Sequence, residues 1–398
     1  MSNIFFKHQD IPVDINPTSM ATADIDRDGN IDVLTANSGN NTVSLLKGNG
    51  KGAFAPRIDF SVGANPNSIT TADIDGDGNL DVLTTNFATS TISYLKGDGT
   101  GKFTRQEPDM ELGLSPYSIT TADINCDGKP DILTAGFKGI SGKVSILLSN
   151  ADGTFSNVYY TVDNTPAAIT TADINGDGKL DILTANNYAN TINVLKNNGD
   201  GTFADKVSYS VGFSPVSIAI ADIDGDGKLD VLTANWGGIV PIPGPVPTST
   251  ISFLKGNGDA TFAPQVKYNA STLPASIAVA DFDDDYNLDV VTANQGAGTV
   301  SYLKGNGDGT FAAQEPHRVG DGPRYVTAAD INNDGLPDAL AVNYISNSIS
   351  VLLSRPWIGD EDSNSYEDTL SPTTASLRFE LHYEKVDGNE ITIPELIG

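Results

Sequence analysis

The chain of 398 residues contains one cysteine, Cys126, and only three histidines, His8, His317 and His382. An intramolecular disulfide is therefore impossible, and a cysteine-type zinc site lacks its ligands. Basic residues are also scarce: 23 Lys and Arg face 51 Asp and Glu, for a formal net charge of −28. Nucleic-acid binding depends on neutralising phosphates with Lys and Arg, so this balance argues against a nucleic-acid partner. No run of about 18 apolar residues occurs, so no membrane-spanning helix is expected. The opening "MSNIFFKHQDIPVDI" has no apolar segment of the signal-peptide kind. No nucleophile elbow, phosphate loop or HExxH sequence is present, and the expectation is a protein that is not an enzyme. Carboxylate-only glycoside cleavage needs just two acids on one face and stays open.

What the chain does have is repetition. The phrase "ADIDGDGKLDVLTAN" at Ala221 recurs in variant form seven times. The first aspartates are Asp24, Asp73, Asp123, Asp173, Asp222, Asp281 and Asp330, at intervals of 49, 50, 50, 49, 59 and 49 residues. A proline stands seven residues before each, from Pro17 to Pro323. The unit from Pro66 reads as four short strands: "SITTA", "LDVLTT", "TISYLKG" and a fourth after the turn "GDGTGKF". Its apolar runs are bounded by Gly, Asp and Asn and are too short for helices. Four-stranded units of about 40 to 50 residues, repeated four to eight times, predict an all-β propeller, here with seven blades of antiparallel strands. The seventh unit ends after its third strand at Ser354, while the N-terminal segment resembles the end of an ordinary unit. Residues 3–13 are therefore predicted to complete the blade built from 324–354, which removes an open sheet edge.

In each repeat, positions 1, 3, 5 and 9 from the first aspartate carry Asp or Asn. They are Asp24, Asp26, Asp28 and Asp32; Asp73, Asp75, Asp77 and Asp81; Asp123, Asn125, Asp127 and Asp131. The next two sets are Asp173, Asn175, Asp177 and Asp181, and Asp222, Asp224, Asp226 and Asp230. The last two are Asp281, Asp283, Asp285 and Asp289, and Asp330, Asn332, Asp334 and Asp338. Alternate residues on a tight turn converge, and Gly at position 6 permits the bend in all but one loop. Position 7 would add a backbone carbonyl: Asn30, Asn79, Lys129, Lys179, Lys228, Asn287 and Leu336. Such an all-oxygen shell suits Ca2+, suits Mg2+ less well, and offers transition metals neither His nor Cys. These positions hold 25 of the 51 acidic residues, and seven divalent ions would halve the formal charge to −14. Asp-Gly turns are common in hairpins for other reasons, but seven in register weigh against that reading. A helix–loop–helix calcium hand needs Glu at position 12. Here that position is Thr35, Thr84, Thr134, Thr184, Thr233, Thr292 and Ala341, inside apolar strands.

"DIDGDGKLDVLTAN" together with "LKGNGDGTF" (Leu303 to Phe311) resembles the FG-GAP/VCBS repeat, a unit also found in the propeller of integrin α chains. The resemblance covers about residues 1–355. It implies that each aspartate loop joins the first two strands of a blade and binds calcium, up to seven ions in all. Loop six departs from the pattern, because Tyr286 replaces Gly and Asp284 adds a carboxylate. Asn at position 3 in loops three, four and seven implies weaker binding there. One ion per blade in a nearly closed shell reads as structural. Extracellular modules of this kind hold calcium with dissociation constants of roughly 10⁻⁴ to 10⁻³ M. Cytosolic calcium would not fill them, which favours a secreted or cell-surface protein.

A ligand would meet the opposite face. After each "TAN"-like strand end the repetition stops, at Ser38, Phe87, Phe137, Tyr188, Trp236, Gln295 and Tyr344. Five of these seven are aromatic, and inter-blade loops add Tyr117, Phe213, Arg324 and Tyr325 on the same face. Exposed amphipathic rings suit sugar rings or protein hot spots, although rings can equally pack between blades. The expected partner is a glycan or a cell-surface protein. The fifth unit carries a proline-rich insertion, 239–250, which should extend from that face. Past Pro356 the repeat gives way to an acidic linker and a hairpin pattern around Asp387-Gly388. This 356–398 tail would dock on the propeller, contact another chain or belong to something larger. A structural assembly subunit is thus a further reading beside binding module and glycan-cleaving enzyme.

Overall fold

The computed structural model describes residues 4–150, 152–238 and 249–355. Most of the proline-rich insertion lies outside them, as do the linker and hairpin expected beyond Pro356. Every regular element in the described residues is a β-strand, and none is a helix long and apolar enough to cross a membrane. The strands form seven four-stranded antiparallel sheets. Blade one contains Pro17–Ala23, Asp32–Asn37, Thr42–Leu46 and Ile58–Ser61, paired in that order. Blades two to six repeat the arrangement from Pro66, Ser115, Pro166, Pro215 and Pro274.

Blade seven is closed as the sequence predicts. Phe5–Pro12 pairs antiparallel with Ser348–Ser354, from Phe5 opposite Ser354 to Pro12 opposite Ser348, behind Asp338–Asn343 and Pro323–Ala329. The two ends of the repeat array are thereby joined by backbone hydrogen bonds, which bring blade seven to the same four strands as the others and cover the strand Ser348–Ser354.

The core lies between the blades. Second strands are buried along their whole length, which explains apolar runs without a clean period of two. Leu34, Ala36, Val43 and Leu45 of blade one pack with Val62, Ile69, Val82 and Leu95 of blade two. The opposite-facing Val33 and Leu46, with Met20, meet Leu340, Val342, Ile349 and Val351 of blade seven. Each fully buried Leu or Val contributes about 1.5–3 kcal/mol, so the ring is held mainly by these seams.

A buried polar lock closes the far end of most second strands. Asn37 Nδ2 donates to Thr42 Oγ1 at 3.2 Å and Ser44 Oγ at 2.9 Å, and its Oδ1 accepts from Thr35 Oγ1 at 3.0 Å. Asn86 and Asn294 repeat all three bonds. Blade three has Gly136 instead, because a Cβ there would stand 2.2 Å from the Ser115 carbonyl oxygen.

Candidate metal centres and ligand face

Each aspartate loop links the first and second strands of its blade, and its backbone is shaped by its own carboxylates. In loop one, Asp24 Oδ1 accepts from the Asp28 N–H at 3.1 Å and Oδ2 from Gly29 at 3.0 Å. Asp28 Oδ1 accepts from the Asn30 N–H at 2.8 Å. The bond from position 7 to position 5 recurs in all seven loops, at 2.8–3.0 Å. Position 9 is the first residue of every second strand and is fully buried. Its two oxygens tie the loop to the third strand: Asp32 accepts from Ile25 N at 3.0 Å and Gly48 N at 2.8 Å.

Two positions need left-handed backbone. Position 6 has φ +85° at Gly29, and position 4 has φ 61° at Arg27 and 59° at Cys126. The sequence pattern points to position 6 alone. In loop six Tyr286 takes φ 67° and still donates to Asp281 Oδ2 at 2.8 Å, so the loop keeps its shape without glycine. Asp284 is the position-4 residue of that loop, with φ 61°, and is exposed.

The carboxylates converge. Oxygens of Asp24, Asp26 and Asp32 lie within 4.8 Å of one another, as do those of Asp73, Asp75 and Asp81, of Asp222, Asp224 and Asp230, and of Asp281, Asp283 and Asp285. These are the four loops with Asp at position 3. Where Asn stands there, its Nδ2 donates to the position-5 carboxylate: Asn125 to Asp127 at 3.1 Å, Asn175 to Asp177 at 3.0 Å, Asn332 to Asp334 at 2.8 Å. At position 7, Lys129 and Lys179 turn their ammonium groups to the Asn150 and Asn198 carbonyls, and Lys228 Nζ lies 3.7 Å from Asp226.

The donor set fits a hard divalent cation. Asp26 Oδ1, Asp73 Oδ1, Asp181 Oδ2, Asp224 Oδ1 and Asp283 Oδ1 are buried without a hydrogen-bond partner. A buried acceptor left unsatisfied costs about 1–3 kcal/mol, and more when charged. Five such oxygens in equivalent loops mark a place for a positive ligand. Titration behaviour agrees, because burial lifts every position-9 carboxyl above its ordinary value. It takes Asp32 to about 6, and Asp289 and Asp338 to about 7, against the opposing backbone N–H bonds.

On the opposite face the expected ligand residues fall into separate groups. Phe87, Tyr117 and Phe137, from blades two and three, stack with centroids 5.2, 5.6 and 6.2 Å apart. Arg324 lies over the Tyr344 ring, 3.8 Å from its centroid. Phe213 and the half-buried Trp236 lie on facing turns of blade five, where Gly237 N donates to the Phe213 carbonyl at 3.1 Å and Trp236 N to the Ser214 carbonyl at 2.9 Å. No ring contact among the described residues joins the groups, so the rings do not make one continuous platform.

Two expectations need correction. Tyr188 is not at the position equivalent to Phe87, because Asn187 makes the matching backbone bond, donating to the Thr165 carbonyl at 2.8 Å. Tyr188 sits one residue further on in the turn, 78% exposed. Four of the seven equivalent positions are therefore aromatic. Tyr325 packs against the apolar core between blades seven and one and does not join the ligand face.

A family model described as an FG-GAP-like repeat matches residues 24–84, 76–134, 135–184, 173–233 and 281–341. The chain belongs to the FG-GAP-like repeat family. Repeats of this family often bind calcium, and each matched segment contains at least one aspartate loop or the second strand that follows it. Among curated proteins none matches the sequence. Solved structures share the fold at low identity. BBS1N, crystallised in complex with ARL6DN, is 12% identical, with a TM-score of 0.60 over 88% of this chain and 97% of its own. Hydrazine synthase of Kuenenia stuttgartiensis is 15% identical, with a TM-score of 0.61 over 86% and 97%. A functionally unknown protein from Desulfotomaculum acetoxidans is 14% identical, with a TM-score of 0.54 over 81% and 99%. A chain crystallised in complex with a partner and one named as a synthase share this fold, so the fold does not choose between such roles.

Sequence reading missed two features of the FG-GAP-like blades. The buried Asn lock is visible only as the last letter of "TAN"-like strand ends, Asn in six blades and Gly136 in the third. The lysine in "LKG", at the end of the third strand, looks like a solvated charge in the sequence and turns inward onto the aspartate loop in the structure.

Proposed function

We propose that the protein is an extracellular, calcium-stabilised binding module that recognises a glycan or a surface protein through the face opposite its aspartate loops, without catalysis. The observation that carries this reading is the division between the two faces. One repeats a cation-fitting loop in every blade, with orphaned carboxylate oxygens turned into four of the cages and a fifth such oxygen in loop four. The other carries stacked and exposed rings that differ from blade to blade. Calcium in such loops braces the blades and leaves substrate little access to the ion. The ring cluster Phe87–Tyr117–Phe137 provides flat apolar area with a phenolic hydroxyl, the combination that sugar faces and protein hot spots use. BBS1N in complex with ARL6DN gives a precedent for a propeller of this fold holding a partner.

A glycan array probed with calcium and with chelator tests the reading. Binding that requires calcium, and that disappears in Trp236→Ala and Phe137→Ala variants with unchanged melting, is the expected result. Time-dependent shortening of a bound glycan would replace the binding module by a glycan-cleaving enzyme.

A further inference from the structure

Loops with Asp at position 3 and loops with Asn there differ at a second residue far away in sequence. At the end of the third strand, blades one, two, five and six carry Lys47, Lys96, Lys255 and Lys304. Blades three and seven, with Asn125 and Asn332, carry Leu148 and Leu353. Lys47 Nζ lies 2.9 Å from Asp26. Lys96 bonds Asp75 and lies 3.1 Å from Asp77, and Lys255 bonds Asp224 and lies 3.0 Å from Asp226. Lys304 bonds Asp283 and lies 2.7 Å from Asp285. In the Asn loops, the asparagine amide supplies the donor to position 5 that Lys96, Lys255 and Lys304 supply in blades two, five and six. Blade four joins Asn175 with Lys196, and there the lysine is exposed and forms no salt bridge among the described residues.

The same position also faces the neighbouring blade. Lys47 Nζ donates to the Thr100 carbonyl of blade two at 2.6 Å, and a Cβ on Gly101 would stand 2.4 Å from Lys47 Cε. In the leucine blades the contact is apolar: a Cβ on Gly201 would meet Leu148 Cδ1 at 3.3 Å, and one on Gly52 would meet Leu353 Cδ1 at 3.2 Å.

We propose that Lys47, Lys96, Lys255 and Lys304 are built-in counter-ions matched to the aspartate at position 3, holding the cage together when no cation is present and equalising the charge that each cage offers to one. Counted over positions 1, 3, 5 and 9 and the strand-three residue, four carboxylates with one ammonium, or three carboxylates with none, each leave three net negative charges in six loops, with Lys129 and Lys228 at position 7 standing outside that count. The Asn loops are then not the weaker sites that the count of aspartates alone implies. The charge-matching half of the proposal rests on the divalent-cation reading of the loops. The latch in the ion-free protein does not.

The test uses the full chain and three variants: Lys96→Met, the four-lysine variant K47M/K96M/K255M/K304M, and the paired exchange D75N/K96L, which writes the blade-three solution into blade two. In chelator, Lys96→Met is expected to lower the melting temperature by several degrees, and the four-lysine variant to lower it further. D75N/K96L should melt near wild type. In calcorimetric-grade calcium titration, Lys96→Met should tighten one site several-fold, and the paired exchange should return it to the wild-type value. Unchanged melting of both lysine variants in chelator, or failure of the paired exchange to restore it, overturns the latch. A wild-type chain that takes up no calcium overturns the charge-matching half, while the chelator arm still decides the latch.

Discussion

The two faces of this propeller are held by different kinds of bond, and that difference explains why one repeats and the other varies. On the loop face, side chains shape the backbone: Asp24, Asp28 and Asp32 accept from named N–H groups, and the same bonds recur blade after blade. A substitution there removes an acceptor that the loop requires. On the ring face, the residue after each second strand is placed by backbone bonds, although the adjoining inter-blade turns are capped by side chains such as Asn347, Asn41 and Asn190. Ser38 N, Phe87 N, Asn187 N, Trp236 N, Gln295 N and Tyr344 N each donate to a carbonyl of the preceding inter-blade turn, at 2.8–3.0 Å. Any side chain satisfies that geometry, so the residue is free to vary from blade to blade. A constrained face and a permissive face on one ring are what a scaffold with a variable binding surface requires.

The largest way to break the comparison is to empty the loop face. With calcium at 100 times its dissociation constant, one site stabilises the fold by about 2.7 kcal/mol, and seven sites act together. Chelation is expected to lower the melting temperature by roughly 10 °C or more. Calcium should reverse the loss, and magnesium should do so far less. A melting curve unmoved by chelator would falsify the cation reading. The pH profile sharpens the test. In the unfolded chain the position-9 carboxyls titrate near 3.8, whereas burial holds Asp32 at about 6 and Asp289 and Asp338 at about 7 in the fold. The folded, ion-free state therefore keeps protons that the unfolded state has released. Its stability falls as pH rises from about 4 to about 7 and levels off above that. The calcium-dependent gain in melting temperature should accordingly widen over the same interval.

A smaller break removes one tie. Asp230→Ala leaves the Ile223 and Gly256 N–H groups without their acceptor. Both lie in the buried junction of loop, second strand and third strand, so the expected cost is about 3 kcal/mol. Urea unfolding in saturating calcium measures it. A cost below about 0.5 kcal/mol would mean that water replaces the carboxylate and that position 9 is not the anchor described.

Loop six offers a gain of function in the same terms. Tyr286 is 92% exposed yet holds a left-handed backbone that its six counterparts assign to glycine. Tyr286→Gly gives up little packing and relieves the strain, with an expected stabilisation of about 1 kcal/mol. A destabilised variant would show that the ring contributes something that its exposure does not reveal.

Much of this was legible in the sequence because the repeat supplies its own internal comparison. Proline, aspartate and glycine at fixed phase reveal the blade count, the strand order and the closing segment 3–13, all of which depend on local turn chemistry and period. The rest depends on contacts between residues far apart in the chain. Lys96 bonds an aspartate 21 residues away, and a lone lysine after a strand carries no sign of its direction. The left-handed turn at position 4 is masked because Arg27, Cys126, Asp284 and Asn333 occupy it in four of the seven loops. Tyr188 stands one residue beyond the position equivalent to Phe87, and nothing local in the sequence separates it from Asn187; only the backbone bond from Asn187 to Thr165 fixes the register.

The smallest effect on stability separates the faces most cleanly. Tyr188 is 78% exposed and its backbone position is fixed by neighbours. Tyr188→Ala should therefore change unfolding free energy by no more than about 0.5 kcal/mol. On the neighbouring blade, Tyr117 has its hydroxyl proton held more tightly than usual, by burial first and by Tyr188 second. If this rim binds a ligand, removing the outer ring of that pair should weaken binding tenfold or more while leaving the melting curve in place. Equal binding by Tyr188→Ala and by wild type, with Phe137→Ala also silent, would move recognition off the blade-two-to-four rim. It would leave Phe213 with Trp236, on blade five, and Arg324 over Tyr344, on blade seven, as the remaining features of that face.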